Sequence, residues 1–208
     1  PASTPPANPS DPDFNSVELG VRFQADTDGY ITGIRFYKGP ENTGTHVGNL
    51  WDAAGNLLAT ATFANETAQG WQQVNFNAPV PIVAGATYTA SYFAPNGHYS
   101  ADSDYFGAGI TSGVLQVPAN GGVAAYGAQS AFPTETHGGA NYWVDVVFGN
   151  VLDGVAPTVV ATTPGASAVD VPLDAAISAS FSKSILSGTL AFVVTNAAGE
   201  TIPGTIAY

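Results

Sequence analysis

The 208-residue sequence contains no cysteine and no methionine. Without cysteine, disulfide bonds and thiolate metal sites are excluded. Because methionine is missing even at position 1, we expect a mature or excised chain from which any signal peptide has gone. Both absences suit an exported bacterial protein that folds without oxidative help.

Basic residues are also scarce. Four Lys and Arg stand against 16 Asp and Glu, which gives a formal net charge of −12, and charged residues make up only 10% of the chain. Binding to nucleic acid or to an anionic membrane surface needs clustered basic side chains, so the sequence predicts neither partner. No apolar run approaches the length of a membrane span, so we expect no membrane insertion.

Helical periodicity is missing too, because no window longer than one turn repeats its apolar residues every 3.6 positions. Short alternating segments separated by turns take its place. In the first of them Val17, Leu19, Val21 and Phe23 share one face, and residues 52–56 form a turn between two further strands. The pattern predicts an all-β protein.

Composition divides the chain into four parts. Residues 1–12 form a Pro/Ser/Thr-rich linker, residues 13–149 a strand-rich module, and residues 150–157 a second linker. Residues 158–208 hold about four predicted strands, at 158–163, 175–181, 190–195 and 205–208, with a turn predicted at 196–199. An Ig-like sandwich has ~7 strands. We therefore expect that domain to be partial, because its C-terminal half was cleaved, is disordered or is missing from the sequence.

Two stretches resemble known families. The segments VELGVRFQADTDGYITGIRFYKG, GWQQVNF, YTASYFAPNGHYSADSDYF and NYWVDVVF are similar to the bacterial domain of unknown function 4082, over roughly residues 13–149. The segments APTVVATTPGASAVDVPLDAAISASFSKSI and NAAGETIPGTIAY resemble the first half of a bacterial Ig-like domain. The resemblance implies a multidomain exported protein, secreted or at the cell surface. It also implies a jelly-roll-like antiparallel β-sandwich, by analogy with carbohydrate-binding modules, followed by a partial Ig-like β-sandwich.

Carboxylates near the start of the module raise the hypothesis of a calcium site. Asp11, Asp13 and Asn15 alternate as in the first half of an EF-hand loop, but the glycine of that loop is missing and Glu18 comes too early. Glu18 and Asp145 belong to the first and last strands of the module, which we expect to be neighbours. The hypothesis is a structural Ca²⁺ bound by Asp11, Asp13, Glu18 and Asp145. The alternative is that Glu18 and Asp145 are solvent-exposed and the other two lie in flexible linker.

The segment from residue 96 to residue 106 combines aromatic and polar side chains after a strand. Sugar sites pair aromatic faces, which stack on the ring, with carboxylates and amides that bind hydroxyls. The predicted ligand-binding residues are His98, Tyr99, Asp102 and Tyr105, together with Trp143 from a later strand. In the alternative, the aromatic residues pin the loop to the core, while His98 and Asp102 satisfy loop backbone. A further alternative is that Asp102 and Asp104 bind a metal ion.

Catalytic patterns are weak. No G-x-S-x-G nucleophile motif is present, and the three histidines, at positions 46, 98 and 137, lack the spacing of a zinc site. We therefore expect a protein that is not an enzyme. Trp51 and Trp71 are expected to pack into the sandwich or over a hairpin, because large aromatic side chains are usually buried.

These observations favour a non-catalytic extracellular module that serves adhesion or binds a polysaccharide or cell-surface glycan. A first alternative is a purely structural subunit of a surface fibre or stalk, whose partners are other copies or neighbouring domains of the same protein. A second alternative is an accessory domain of a polysaccharide-degrading enzyme, in which a pair of carboxylates lines a pocket.

Overall fold

The computed structural model describes residues 4–149, 158–172, 175–182, 193–196, 198–202 and 204. The chain divides into two compact units, Pro1–Leu152 and Asp153–Tyr208. Every regular element in the described residues is a β-strand, and no helix among them is long and apolar enough to cross a membrane. The prediction of an all-β protein is confirmed. The second predicted linker, residues 150–157, lies outside the described residues.

The described part of the first unit contains ten strands. They are β1 (Val17–Ala25), β2 (Gly29–Lys38), β3 (Val47–Asp52), β4 (Leu57–Thr62), β5 (Gly70–Ile82), β6 (Tyr88–Ala94), β7 (Ile110–Ser112), β8 (Leu115–Val117), β9 (Gly122–Tyr126) and β10 (Val144–Gly149). All their pairings are antiparallel.

These strands form two sheets that pack as a sandwich. The larger sheet has the order β4-β3-β6-β1-β8-β7, and β9 pairs with β1 on the side that β8 also occupies. The smaller sheet has the order β10-β2-β5. Phe36 of β2 stacks on Tyr92 of β6 with ring centroids 4.1 Å apart, so the two sheets meet face to face.

The hydrophobic core lies between the sheets. The alternating residues Val17, Leu19, Val21 and Phe23 of β1 all belong to it and are at most 6% exposed, which confirms the predicted inner face of this strand. Burying each such side chain contributes about 2 kcal/mol. The period of two therefore fixes which face of β1 looks inward.

In β2 the alternation is interrupted. It predicts that Thr32 shares the inner face with Ile34 and Phe36, but Ile31 is the buried neighbour and Thr32 is only half-buried. Against β10, Val147 lies opposite Gly33 and Phe148 lies opposite Ile31, so Thr32 is an extra residue of β2. A β-bulge of this kind adds one residue to the strand and reverses its phase.

The first and last strands of the unit are not hydrogen-bonded neighbours, so that expectation is wrong. One side of β1 pairs with β6 and the other with β9 and β8, which leaves no free side for a further strand. β10 instead pairs with β2, in register from Val144 against Phe36 to Gly149 against Tyr30. Glu18 and Asp145 consequently lie in different sheets.

The predicted N-terminal linker packs against the first unit from residue 7 onwards. We call residues 7–13 the strap. Its backbone runs beside residues 98–101: Asp11 N donates to Tyr99 O at 2.8 Å, and Ala101 N donates to Asn8 O at 3.1 Å. The strap is therefore part of the first unit rather than an extended spacer.

The second unit contains two described hairpins. β11 (Val159–Thr163) pairs with β12 (Ser178–Phe181), and β13 (Val194–Thr195) pairs with β14 (Thr201–Ile202). The predicted turn after β13 is confirmed, since Gly199 N donates to Asn196 O and Asn196 N donates to Glu200 O. The last predicted strand, residues 205–208, lies outside the described residues.

Candidate functional site

A cleft of about 190 Å³ opens between β10, at the edge of the smaller sheet, and the β7–β8 hairpin. It reaches down to Val21 and Phe23 of the core. Besides Phe23, the aromatic members of its lining are Trp71, Tyr105, Phe106 and Trp143, and the polar members are Ser112, Asn141 and Asp145. Mostly apolar walls with a few polar groups are typical of ligand-binding sites.

The aromatic wall of the cleft is centred on Trp143. Its ring centroid lies 6.1 Å from that of Trp71 and 5.9 Å from that of Tyr105, both in edge-to-face geometry. Trp143 itself is only 3% exposed, whereas Tyr105 is 37% exposed. Edge-to-face pairs of this kind are favourable beyond the area they bury, so the wall is a preformed surface.

Trp143 adopts a backbone conformation that is unusual for a bulky residue. Its φ is +55°, in the left-handed region. Two hydrogen bonds hold it there: the backbone N–H donates to Asn141 Oδ1 at 2.8 Å, and the indole N–H donates to Asp102 Oδ2 at 3.0 Å. Strained residues that their surroundings fix in this way concentrate at binding sites.

The indole N–H of Trp71 is the unsatisfied group of the cleft. Nε1 is buried and has no hydrogen-bond partner among the described residues. The Arg35 guanidinium lies 4.8 Å from the centroid of the Trp71 ring and 4.0 Å from the Asp145 carboxylate. Because Asp145 is 41% exposed, this ion pair is weak and leaves the carboxylate open to other partners.

The comparison with protein families agrees with this division of the chain. The model of the domain of unknown function DUF4082 matches residues 3–144, more than half of the chain. The chain belongs to the DUF4082 family. The model of the bacterial Ig-like domain matches residues 153–208. No curated protein matches the chain. Bacterial Ig-like domains are typical of surface and extracellular proteins. The chain is therefore a module of the surface or extracellular class.

Of the five predicted ligand-binding residues, two line the cleft of the DUF4082 unit: Tyr105 and Trp143. Two others hold the strap. His98 N donates to Asp13 O at 2.6 Å, and His98 Nδ1 lies 3.1 Å from Asp11 O. Tyr99 is buried, and its hydroxyl donates to Asp13 Oδ2 at 3.3 Å. These contacts resemble those of the structural alternative to ligand binding. Tyr99 is a buried aromatic residue that pins the loop, and His98 satisfies backbone groups.

Asp102 connects these two groups. Its Oδ1 accepts the backbone N–H groups of Ala7 and Asn8, each at 3.0 Å, while Oδ2 accepts the indole N–H of Trp143. Asp102 therefore holds Trp143 in the cleft wall but does not itself line the cleft.

The structure separates the four carboxylates of the calcium hypothesis. Asp11 Oδ1 accepts from Asp13 N at 3.0 Å, and Asp13 Oδ2 accepts from the Tyr126 hydroxyl at 2.6 Å. Burial opposes ionisation of Asp13, but hydrogen bonds from Tyr126 and Asn15 hold its pKa below the usual value. The described residues contain no group of three or more His, Cys, Asp and Glu side chains arranged to hold a metal. Structural calcium stays a prediction, which thermal melts with Ca²⁺ and with EDTA would test.

Glu18 is fully buried, so the alternative in which it is solvent-exposed is wrong. Its Oε1 accepts hydrogen bonds from Ser91 Oγ at 2.6 Å and from Asn49 Nδ2 at 2.8 Å. All three residues lie on the face of the larger sheet that is turned away from the core, where Ser130 Oγ accepts a hydrogen bond from Asn49 Nδ2 at 2.9 Å.

Trp51 and Trp71 both lie outside the core between the two sheets. Trp71 is half-buried in the cleft wall, and Trp51 is buried on the outer face of the larger sheet, where its indole N–H donates to Ser91 Oγ. Nothing in the local sequence of either residue distinguishes these positions from a core position. The contribution of Trp71 to the cleft was missed for that reason.

Proposed function

We propose that the DUF4082 unit binds glycans in the cleft between β10 and the β7–β8 hairpin and catalyses no reaction on them. The observation that carries the proposal is the buried, unpartnered indole N–H of Trp71 in the lining of an aromatic cleft. A buried donor without an acceptor costs about 1–3 kcal/mol, and a ligand oxygen placed at Trp71 Nε1 would remove that cost.

The lining matches the chemistry of a sugar ring. Tyr105 is the exposed aromatic surface, on which the C–H face of a pyranose can stack. Trp71 Nε1 donates to a ring or hydroxyl oxygen, and the Asp145 carboxylate accepts hydroxyl protons. The cleft therefore offers a stacking surface, an indole donor and a carboxylate acceptor.

Charge favours neutral sugars and amino sugars over acidic ones. The chain carries a net charge of −12, and Asp145 is the carboxylate in the described lining of the cleft. A uronate polymer would be repelled by both.

The same lining supports binding without hydrolysis. Glycoside hydrolysis uses two carboxylates on opposite sides of the scissile bond. Among the described residues that line the cleft, Asp145 is the single acid. We therefore propose a surface or secreted adhesion module whose partner is a polysaccharide or cell-surface glycan.

A glycan array followed by calorimetric titration of the best neutral oligosaccharide tests the proposal. We expect Tyr105→Ala to weaken binding about fivefold, because stacking on one aromatic ring is worth about 1 kcal/mol. Phe14→Ala is the matched control, since Phe14 is a 72% exposed aromatic residue that is absent from the lining. An array without a glycan ligand, or equal affinities for Tyr105→Ala and the unmodified chain, would contradict the proposal and favour a structural role.

A further inference from the structure

The outer face of the larger sheet is buried, although the smaller sheet packs on the opposite face. Six of its side chains, from four strands, are less than 8% exposed: Glu18, Asn49, Trp51, Thr89, Ser91 and Val123. Residues 127–133, which we call the flap, lie over part of this face, where Ser130 contacts Asn49 and Phe132 contacts Trp51. The flap leaves β9, crosses the sheet and ends where Thr134 N and Glu135 N donate to Ala124 O.

Beneath the flap one oxygen of Glu18 has no partner. Oε1 accepts from Ser91 and Asn49, but Oε2 is buried without a hydrogen bond to any described residue. Ionised Glu18 leaves a bare oxygen there, and protonated Glu18 leaves a hydroxyl without an acceptor. Either state carries an unmet hydrogen-bonding group, which is unfavourable inside a protein. A ligand hydroxyl reaching Oε2 would satisfy it.

The flap places ligand-like groups over these residues. Ser130 Oγ accepts a hydrogen bond from Asn49 Nδ2 at 2.9 Å. The ring of Phe132 lies on Trp51, with centroids 5.7 Å apart. A bound sugar can make the same two kinds of contact, a hydroxyl hydrogen-bonded to an amide and a ring stacked on an indole.

The flap is held more weakly than the sheet beneath it. Residues 127–131 are exposed and Phe132 is half-buried. Besides the hydrogen bond at Ser130, a backbone hydrogen bond fixes the start of the flap, where Gly127 N donates to Ser16 O at 3.2 Å. Segments with few buried contacts and few backbone hydrogen bonds open at low free-energy cost.

We propose that displacement of the flap opens a second glycan site on the outer face of the larger sheet, separate from the cleft. In this site the two oxygens of Glu18 accept protons from hydroxyls of a neutral sugar residue. A sugar oxygen replaces Ser130 Oγ as the acceptor of the Asn49 side-chain N–H. The sugar ring replaces the Phe132 ring as the group that stacks on Trp51.

The residues fit a neutral polyol better than a cation or an acidic sugar. Calcium takes six to eight oxygens, usually several of them carboxylates, and Glu18 is accompanied here by amide and hydroxyl groups. A sugar acid would place its carboxylate beside that of Glu18. A neutral hexose offers hydroxyl protons to Glu18 and lone pairs to Asn49, and Trp51 adds a stacking surface that a metal ion does not use.

The test uses the Tyr105→Ala background, in which the cleft is weakened. Ser130→Ala and Phe132→Ala are combined there to free the outer face. Cellotetraose and mannotetraose, which differ in the orientation of the 2-hydroxyl, are titrated calorimetrically. We expect at least one of them to bind at least tenfold more tightly to the flap variant than to Tyr105→Ala alone. Adding Glu18→Gln should reverse that gain.

Equal affinities with and without the flap substitutions, or a gain that survives Glu18→Gln, would overturn the proposal. Should the flap variant not fold, as judged by near-ultraviolet circular dichroism, hydrogen exchange on the unmodified protein takes its place. There we expect either tetrasaccharide to speed exchange of the amides of residues 128–132, and unchanged exchange would overturn the proposal. Tyr105→Ala tests glycan binding in the cleft, and the flap variant tests glycan binding on the outer face. Either proposal can therefore be contradicted without the other.

Discussion

Trp143 and Asp102 are joined by a hydrogen bond of 3.0 Å from the indole N–H to Oδ2, although they lie 41 residues apart. The other oxygen of the same carboxylate accepts the backbone N–H groups of Ala7 and Asn8. Hydrogen bonds to an ionised acceptor are the stronger ones in proteins. A single carboxylate therefore links the centre of the cleft wall to the strap, and disturbance of either should be felt by the other.

Replacing Asp102 by Asn should destabilise the first unit and loosen Trp143. One oxygen becomes an NH₂ group, which then faces the indole N–H or the strap N–H groups, donor against donor. We expect a loss of about 2 kcal/mol in the free energy of unfolding, measured by urea denaturation. Tryptophan fluorescence of the folded variant should shift to longer wavelength as Trp143 becomes hydrated.

Asp104→Asn is the matched control for that substitution. Asp104 is exposed and has a φ of +58°, a conformation that Asn tolerates well. We expect its stability to stay within about 0.5 kcal/mol of the unmodified chain. Equal losses for the two variants would show that the Asp102 carboxylate has no special role.

Gly39→Ala should detach the strap. A Cβ atom at position 39 would collide with the carbonyl oxygen of Pro9, which is backbone and cannot turn aside. We expect faster hydrogen exchange at Asp11 and Ala101, whose N–H groups bond across this contact. Gly127→Ala is the control, because a Cβ there has an ordinary contact of 3.7 Å. Unchanged exchange at Asp11 and Ala101 in Gly39→Ala would contradict the role of the strap.

Local patterns of the sequence were sufficient for the strands but not for their surroundings. The inner face of β1 follows from alternation, which depends only on neighbouring residues, so Val17 to Phe23 were placed correctly. The same alternation correctly places Glu18 on the opposite face, but it does not show that this face is buried. The flap over part of this face lies more than 100 residues away along the chain, and nothing near Glu18 reveals that cover.

The candidate site was predictable to a similar extent. Tyr105 and Trp143 were identified by residue type, because aromatic and polar side chains occur together in their segments. His98 was selected by the same criterion, although its contacts are with the strap. Composition identifies a loop rich in useful side chains, whereas the direction in which each one points depends on long-range pairing. Trp71 joins the cleft only through such pairing.

The buried carboxyl of Glu18 should make stability depend on pH. Burial raises its pKa above the ordinary value of 4.5, against the opposing effect of the polar side chains of Ser91, Asn49 and Ser130. The folded state then holds the proton more tightly than the unfolded state. The resulting stabilisation is fully present below pH 4.5 and is lost as the pH rises through the folded-state pKa.

Glu18→Gln removes that dependence. From pH 4.5 upwards, we expect the free energy of unfolding of Glu18→Gln to gain on that of the unmodified chain, as measured by urea denaturation at several pH values. Glu135→Gln serves as the control, since Glu135 is 60% exposed. Parallel curves for Glu18→Gln and the unmodified chain would show that the raised pKa has no consequence for stability.

Glu66 is the shared acceptor of a second buried network. Lys38 Nζ lies 2.7 Å from Glu66 Oε2, and His46 Nδ1 lies 2.9 Å from both carboxylate oxygens. The side chains of Lys38 and Glu66 are only 13% and 11% exposed, and His46 is fully buried. Removing one partner of a buried ion pair leaves an uncompensated charge, which costs about 3 kcal/mol.

Glu66→Gln should therefore lower the free energy of unfolding by about 3 kcal/mol at neutral pH. The loss is specific to the paired carboxylate, so the exposed Glu135→Gln, with the same chemical change, should lose less than about 0.5 kcal/mol. The second substitution Lys38→Met separates charge from shape. In the presence of Lys38→Met, Glu66→Gln should cost less than it does alone, because the lysine charge that it would strand is gone. Additive losses in this double-mutant cycle would mean that the 2.7 Å contact between Lys38 and Glu66 contributes nothing to stability.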